Sequence, residues 1–339
     1  MRIVVAHSQL NTFGGGERVV LELLRHLSRE HEVTLWAGNY RPERTYPELA
    51  VFPRRDLTPA EWLCRVPPAD LVLTHSFGAH LLALRHSAAI CYVHTLRSRY
   101  LRGAGRPDLA GRRWLDRLAL RRAAALATNS AFAARVIAGR YGRTAAVIGC
   151  GAAPELFSLP ATPGACALYV GRIAPEKGLD RLIRWGAGLP LDLHIAGDGD
   201  ARYTAQLRSL AGSRVRWLGP LRGDELARAY AGARCVVLLA DAEEFGIAAL
   251  EGMAAARPVV ALRSGGLPEL VSDGQTGMLV DDEAGYRHAI ERLVAEDALA
   301  ARLGAAGRAR ARAYTWEGMA SALLELGERL PARRGQRGE

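Results

Sequence analysis

Residues 235–280 read CVVLLADAEEFGIAALEGMAAARPVVALRSGGLPELVSDGQTGMLV. Three short runs rich in valine and leucine, at 235–239, 258–262 and 277–280, alternate with a helical stretch and with a glycine turn that opens a second helix. Runs of that length, apolar on both faces and bounded by turn residues, read as buried strands of a parallel sheet. Outward from this stretch the same alternation continues, with strands expected at 165–170, 191–196 and 214–218 and, in the first half, at 2–6, 32–37, 70–74, 89–94, 124–128 and 145–148. Strand and helix in strict succession predict an α/β chain with two parallel sheets covered by helices. Residues 151–164 (GAAPELFSLPATPG) hold three prolines and little periodicity, as a linker would. The expected domains are residues 1–155 and 164–314, with an amphipathic helix over 315–330 packing back on the first. Open parallel sheets bind ligands beyond the carboxyl ends of their strands, so an interdomain cleft lined by those ends is expected.

The composition, 339 residues with 49% hydrophobic and 24% charged, has room for two such cores. No apolar run reaches the roughly 20 residues that span a bilayer, and MRIVVAHSQL runs straight into a strand pattern instead of a secretory leader. Five scattered cysteines, none spaced C-x-x-C, argue against a disulfide framework or a zinc site, which points to a cytoplasmic chain. The formal charge of +10 is the excess of 45 basic over 35 acidic residues, and Lys177 is the single lysine. A lysine kept in so arginine-rich a chain suggests a need for a compact ammonium.

Three loops carry the candidate chemistry. Asn11-Thr-Phe-Gly-Gly-Gly-Glu-Arg18 joins a strand to a helix and would let a ligand approach the backbone near Gly15 and Gly16. It matches neither G-x-G-x-x-G in register nor a P-loop. Gly171-Arg172-Ile-Ala-Pro-Glu-Lys177-Gly178 ends a strand, so Arg172 and Lys177 are expected to close together on a pair of phosphates. In Asp241-Ala-Glu243-Glu244-Phe-Gly246 the helix should start near Phe245–Gly246, with Glu243 just before it and Glu251 two turns inside. Eight residues bring the two carboxylates to within about 80° of one side of that helix. The backbone N–H groups of its first turn form a seat for phosphate. Gly265-Gly266 is a second candidate anion nest. Asp198-Gly-Asp200 spells a D-x-D pair, but it ends a strand in a glycine turn, and no metal is expected there.

With these residues quoted, the chain resembles the retaining glycosyltransferases of family 4, two facing Rossmann-like domains in the GT-B fold. The resemblance runs through GRIAPEKG (171–178), IAGDGD (195–200) and EEFGIAALEG onward to residue 280, and through GGGERVV (14–20) in the first half. Tyr92-Val-His94-Thr-Leu-Arg-Ser-Arg-Tyr100 is similar to the Y-x-H-T-P-x-R-Y segment of a mannosyltransferase-like branch. The resemblance implies transfer of a hexose from GDP-mannose or a UDP-sugar to a hydroxyl, with retention and without a cofactor or metal. It implies a catalytic group of Glu243, Arg172, Lys177 and His94. Donor contacts would come from Gly15, Gly16, Phe245, Gly246, Ile247 and Glu251, with Glu243 on the sugar and Glu251 on the ribose. The chain departs from the family pattern at Glu244, at Asp200 (usually proline), at Leu96 (usually proline) and at Cys150 (usually asparagine).

Two other readings fit parts of the pattern. An NAD-dependent oxidoreductase would use the same alternation but lacks the dinucleotide fingerprint. A noncatalytic nucleotide- or sugar-binding protein of two hinged domains would keep the same loops without turnover. From Arg97 to Arg122 arginines crowd around Tyr100 and Trp114, which suits peripheral docking on an anionic membrane; no nucleic-acid motif accompanies them.

Overall fold

The computed structural model describes residues 1–65, 68–94, 107–162 and 164–330. They form two compact units, Met1–Cys150 together with Trp316–Glu339, and Gly151–Thr315.

The first unit runs β1 (Arg2–His7), α1 (Gly15–Leu27), β2 (Glu32–Ala37), β3 (Arg54–Asp56), α2 (Glu61–Cys64), β4 (Leu71–Thr74), α3 (Phe77–His80), β5 (Ala89–Val93), α4 (Pro107–Arg122), β6 (Ala125–Thr128), α5 (Ala131–Tyr141) and β7 (Ala146–Val147). Its sheet has the order β3-β2-β1-β4-β5-β6-β7, and every pairing is parallel. In α1 the buried residues Val19, Val20, Leu23, Leu24 and Leu27 recur at helical spacing and turn one stripe to the sheet. β3 was absent from the sequence expectation. Its residues, Arg-Arg-Asp, are all exposed and hold an edge position by backbone pairing to β2, with the Arg54 and Arg55 guanidinium groups over the rings of Tyr40 and Trp36.

The second unit runs β8 (Cys166–Val170), α6 (Leu179–Trp185), β9 (Asp192–Ala196), α7 (Ala201–Leu210), β10 (Val215–Gly219), α8 (Gly223–Gly232), β11 (Ala233–Leu238), α9 (Ile247–Ala254), β12 (Val259–Leu262), α10 (Leu267–Leu270), β13 (Gly277–Val280), α11 (Glu283–Ala295) and α12 (Asp297–Ala311). Here the order is β10-β9-β8-β11-β12-β13, again all parallel. Its core packs Leu179, Leu182 and Ile183 of α6 and Ile290 and Leu293 of α11 against Ile195, Cys235 and Val237.

Each order reverses once, between β1 and β4 in the first sheet and between β8 and β11 in the second. At such a switch point the loops leaving neighbouring strands part to opposite faces and open a crevice for a ligand. The loops so placed follow β1 and β4, and β8 and β11, and they hold most of the candidate residues.

Residues 151–155, given above to the first domain, and the described part of the linker go with the second unit. The N–H of Ala152 donates to the Tyr314 carbonyl at 3.2 Å, and a pair of arginines holds the later part of the linker. Arg257, wholly buried, donates to the carbonyls of Thr162 and Pro160, and Arg308 Nη2 donates to that of Leu159 at 2.6 Å. The last helix, α13 (Trp316–Glu328), follows the second unit in the chain but belongs to the first. It packs along α1 and buries Trp316, Met319, Ala320 and Leu323.

Candidate functional site

In the second unit the 3₁₀ turn Pro175–Lys177 brings Lys177 to the loop after β11. Lys177 Nζ donates to both carboxylate oxygens of Glu243, at 2.9 Å to Oε1 and 2.7 Å to Oε2. The two side chains are 21% and 12% exposed, so the pair is sheltered and still reachable. The backbone of Glu243 is fixed by the loop after β12. Ser264 Oγ accepts from the N–H of Ala242 at 2.8 Å, and the Gly266 N–H donates to the Glu243 carbonyl at 2.7 Å. Gly265 has φ +67°, and a Cβ there would stand 2.2 Å from the Glu243 carbonyl oxygen. The Gly265-Gly266 turn is therefore a clamp on Glu243; its Gly266 amide serves that carbonyl, which corrects the expectation of a second anion nest.

Glu243 leads into α9, whose N-cap is Gly246 at φ +91°, with no side-chain capping bond. The first-turn amides, with Ile247 in front, keep the anion-favouring end of the helix dipole. Phe245 is buried, its ring 5.9 Å from that of Tyr314, so its side chain belongs to the packing of the unit. Two turns on, Glu251 Oε2 accepts from Tyr230 Oη at 2.8 Å, which holds one carboxylate oxygen in place.

Arg172 does not join Lys177 on a shared partner. Its guanidinium, 53% exposed, pairs with Glu176 at 3.4 Å, while its carbonyl accepts from Tyr169 Oη at 2.7 Å. A long, exposed pair of that kind is worth little and yields readily to a better anion. Asp200 caps α7 by accepting from the Tyr203 N–H at 2.9 Å. The departure from proline thus keeps a helix-starting residue, and the D-x-D carboxylate has a structural task. Among the described residues no group of three or more His, Cys, Asp or Glu is arranged to hold a metal ion.

In the first unit Gly15 and Gly16 are the opening residues of α1. The seat in front of them is met from within, because Glu17 is buried against Gly14 and accepts from Thr12 Oγ1 at 2.5 Å. His94 follows β5, and its Nε2 shares a 3.0 Å hydrogen bond with Nδ1 of His75, which follows β4. His7 ends β1; its Nδ1 accepts from the Gln9 N–H at 3.2 Å, so its proton sits on Nε2. Burial, above all other causes, pushes His7 down to about 4 and His94 and His80 down to about 3, and holds His75 well below its ordinary range. His7 and His75 escaped the sequence reading. The available signal was a histidine at the carboxyl end of each of three neighbouring strands. Thr95, Leu96 and the arginines up to Arg106 lie outside the described residues.

The switch-point loops and two all-parallel sheets define the GT-B class of α/β proteins. The Anabaena protein Alr3699/HepE, solved in complex with UDP-glucose, superposes with a TM-score of 0.83 at 18% identity, covering 96% of this chain and 99% of that one. A sucrose-phosphate synthase from Thermosynechococcus elongatus gives 0.77 at 21% identity, covering 97% and 99%. These likenesses establish the fold. The chain belongs to glycosyltransferase family 4: residues 13–156 match the family model described as Glycosyltransferase Family 4, and residues 158–310 that of Glycosyl transferases group 1. Curated relatives include a D-inositol 3-phosphate glycosyltransferase of Corynebacterium jeikeium, 36% identical over 189 residues. Another, from a Nocardioides species, is 34% identical over 193 residues. Each match takes in 50% of this chain, and 45% and 42% of the respective relative, so the chain spans less than half the length of the relatives it matches.

Proposed function

We propose that this chain is a retaining hexosyltransferase that moves a sugar from GDP-mannose or a UDP-hexose to a hydroxyl acceptor. The second unit takes the donor side and the first the acceptor side. The observation that carries the reading is the Lys177–Glu243 pair beside the uncapped start of α9. An ammonium has three N–H donors, and Glu243 uses two, which leaves one for a phosphate oxygen. The carboxylate keeps further lone pairs for sugar hydroxyls. A diphosphate next to Lys177 would draw Arg172 away from Glu176 and meet the amides of Gly246 and Ile247. Glu251, steadied by Tyr230, would take the ribose. In the first unit, His94, Gly15 and Gly16 are the residues assigned to substrate.

In the reaction the bond from the anomeric carbon to the phosphate oxygen breaks and a bond to the acceptor oxygen forms on the same face. The acceptor proton passes to the leaving phosphate. Cations and amides placed where that phosphate gains charge lower the barrier, and no metal is required in this scheme. The neighbour solved with UDP-glucose and the relatives named as glycosyltransferases support the class of reaction. The His94 segment favours GDP-mannose.

The test is a thermal-shift panel of GDP-, UDP-, dTDP- and ADP-sugars, with NAD as control. One nucleotide-sugar and its diphosphate should raise the melting temperature, since binding to the native state alone stabilises it. Slow hydrolysis of that sugar without acceptor should follow. Stabilisation by NAD instead would return the oxidoreductase reading, and binding with no hydrolysis the noncatalytic one.

A second observation extends the proposal. On α4 Trp114 is 64% exposed, and Arg117 and Arg121, three and seven residues on, are exposed beside it. An indole flanked by arginines suits the interface of an anionic membrane. No described helix is long and apolar enough to cross one. The reading includes peripheral attachment through α4 at an inner membrane face, with the body of the protein in the cytoplasm. Co-sedimentation with anionic but not neutral vesicles decides that part.

A further inference from the structure

β1, β4 and β5 are neighbours in the first sheet, and His7, His75 and His94 stand at or just past their carboxyl ends. His75 and His94 have ring centroids 5.2 Å apart, and Tyr92 lies 5.4 Å from the first and 4.6 Å from the second. Tyr92 is itself fixed, donating to the Ile148 carbonyl at 2.6 Å. Within this stack His75 Nδ1 and His94 Nε2 share the 3.0 Å hydrogen bond. His75 is 2% exposed, and its other nitrogen, Nε2, is buried without a partner among the described residues.

Two neutral imidazoles joined in this way hold one hydrogen between the inner nitrogens, and its position fixes both outer nitrogens. If His94 Nε2 carries it, His94 Nδ1 is a bare acceptor and His75 Nε2 carries a buried N–H with nothing to receive it. If His75 Nδ1 carries it, His94 Nε2 accepts, His94 Nδ1 carries the N–H, and His75 Nε2 is a bare lone pair. An orphaned buried N–H is a rare defect, so the second arrangement is favoured.

We propose that His75 is a positioning residue that sets the ring plane and tautomer of His94, so that His94 presents Nδ1–H as a donor toward the substrate sugar. The proposal rests on the sugar-transfer reading for the destination of that N–H, but the tautomer itself can be measured without turnover. A hydroxyl group of the donor sugar is the class of partner this N–H would recognise. In water a free histidine side chain prefers the opposite, Nε2–H form, so the pair holds His94 in its less favoured state.

The experiment is ring-nitrogen NMR on wild type, His75→Leu and His75→Asn, paired with steady-state kinetics on the donor identified by the panel. Asparagine keeps a polar atom near the place of Nδ1; leucine does not. Wild-type His94 should show the Nδ1–H tautomer, and His75→Leu should revert to Nε2–H. The leucine variant should lose about 10²-fold in kcat with little change in donor KM, and asparagine should restore most of it. Circular dichroism and an unchanged nucleotide-induced thermal shift show that each variant is folded. A wild-type Nε2–H tautomer, or a folded leucine variant with full kcat, overturns the proposal. A wild type that shows the Nδ1–H tautomer but transfers no sugar overturns the functional reading and leaves the pair standing.

Discussion

Lys177 is the one lysine among 45 basic residues, and its geometry explains why arginine does not serve there. Its Nζ reaches both Glu243 oxygens within 2.9 Å, a bond pattern that a small tetrahedral head makes while still turning a third donor elsewhere. A guanidinium is planar and larger, and a fork laid on Glu243 would aim its other donors back along its own plane. Lys177→Ala is expected to lower kcat by about 10²–10³, and Lys177→Arg by about 10-fold or more. Arg172 is a different case. It is half exposed, and its ion pair with Glu176 is a loose 3.4 Å contact. Removing its charge in Arg172→Ala should also cost about 10²–10³ in kcat, while Arg172→Lys, which keeps the charge, should stay within about five-fold of wild type. Steady-state kinetics on the four variants checks this ordering. Equal losses in the two conservative swaps would mean that only net charge matters and that the Lys177–Glu243 contact is incidental.

Among the elements, two glycine turns separate what the fold needs from what a ligand needs. Gly265 has a left-handed φ of +67° and lies in near-contact with the Glu243 carbonyl, so Gly265→Ala must both strain the turn and push Glu243 away. The left-handed conformation alone costs about 1–2 kcal/mol; the urea midpoint and kcat should fall together. Gly16 sits in an ordinary helical conformation, and among the described residues a Cβ there would meet only His7 Nε2, at a normal 3.5 Å. Gly16→Ala should therefore leave the urea midpoint unchanged or slightly raised, because alanine is the better helix former. Turnover should fall if a substrate lies against that backbone, and full activity would remove Gly16 from the site. The same distinction explains what the sequence revealed. Runs such as CVVLL and RIVVA announce themselves because buried parallel strands must be apolar on both faces. β3 does not, because an exposed edge strand needs no apolar residues, and Arg-Arg-Asp pairs its backbone with β2 while its arginines lie over Tyr40 and Trp36. The placement of Lys177, Glu243 and Gly246 on loops after strands was legible from motif order, since those loops follow strands in a fixed succession. The duty of Gly266 toward Glu243 was not, because it depends on a hydrogen bond between two loops more than twenty residues apart. His75 was hidden for a similar reason: its partner is nineteen residues away on the next strand.

At the scale of the whole molecule, the buried histidines set how it responds to acid. Unfolded, each would titrate near 6.5. Folded, His7 is held down to about 4, His80 and His94 to about 3, and His75 well below the ordinary value, burial being the leading cause for all four. Between those limits the unfolded chain binds more protons than the folded one, so stability rises with pH, is complete above about 6.5 and drains away as pH falls toward 4. Each extra proton contributes a slope of about 1.4 kcal/mol per pH unit, and four together approach about 5.5. Asp116 acts in the opposite sense. Burial pushes its carboxyl up to about 6, so the folded state holds a proton that the unfolded state has already released, and this group loses stability as pH rises from about 4 to 6. One carboxyl against four imidazoles leaves the net direction unchanged. Typical domains have only about 5–15 kcal/mol in reserve, so the first unit should unfold before pH reaches about 4. Urea midpoints followed by circular dichroism from about pH 7.5 to about pH 5 should drop steeply. In His80→Asn, which keeps a polar atom within reach of the Thr74 hydroxyl that now lies 2.7 Å from His80 Nδ1, the acid limb should flatten by one proton. A midpoint that stays level over that range would mean that the imidazoles take up protons without leaving the fold, and the burial argument for a neutral His94 would fall with it.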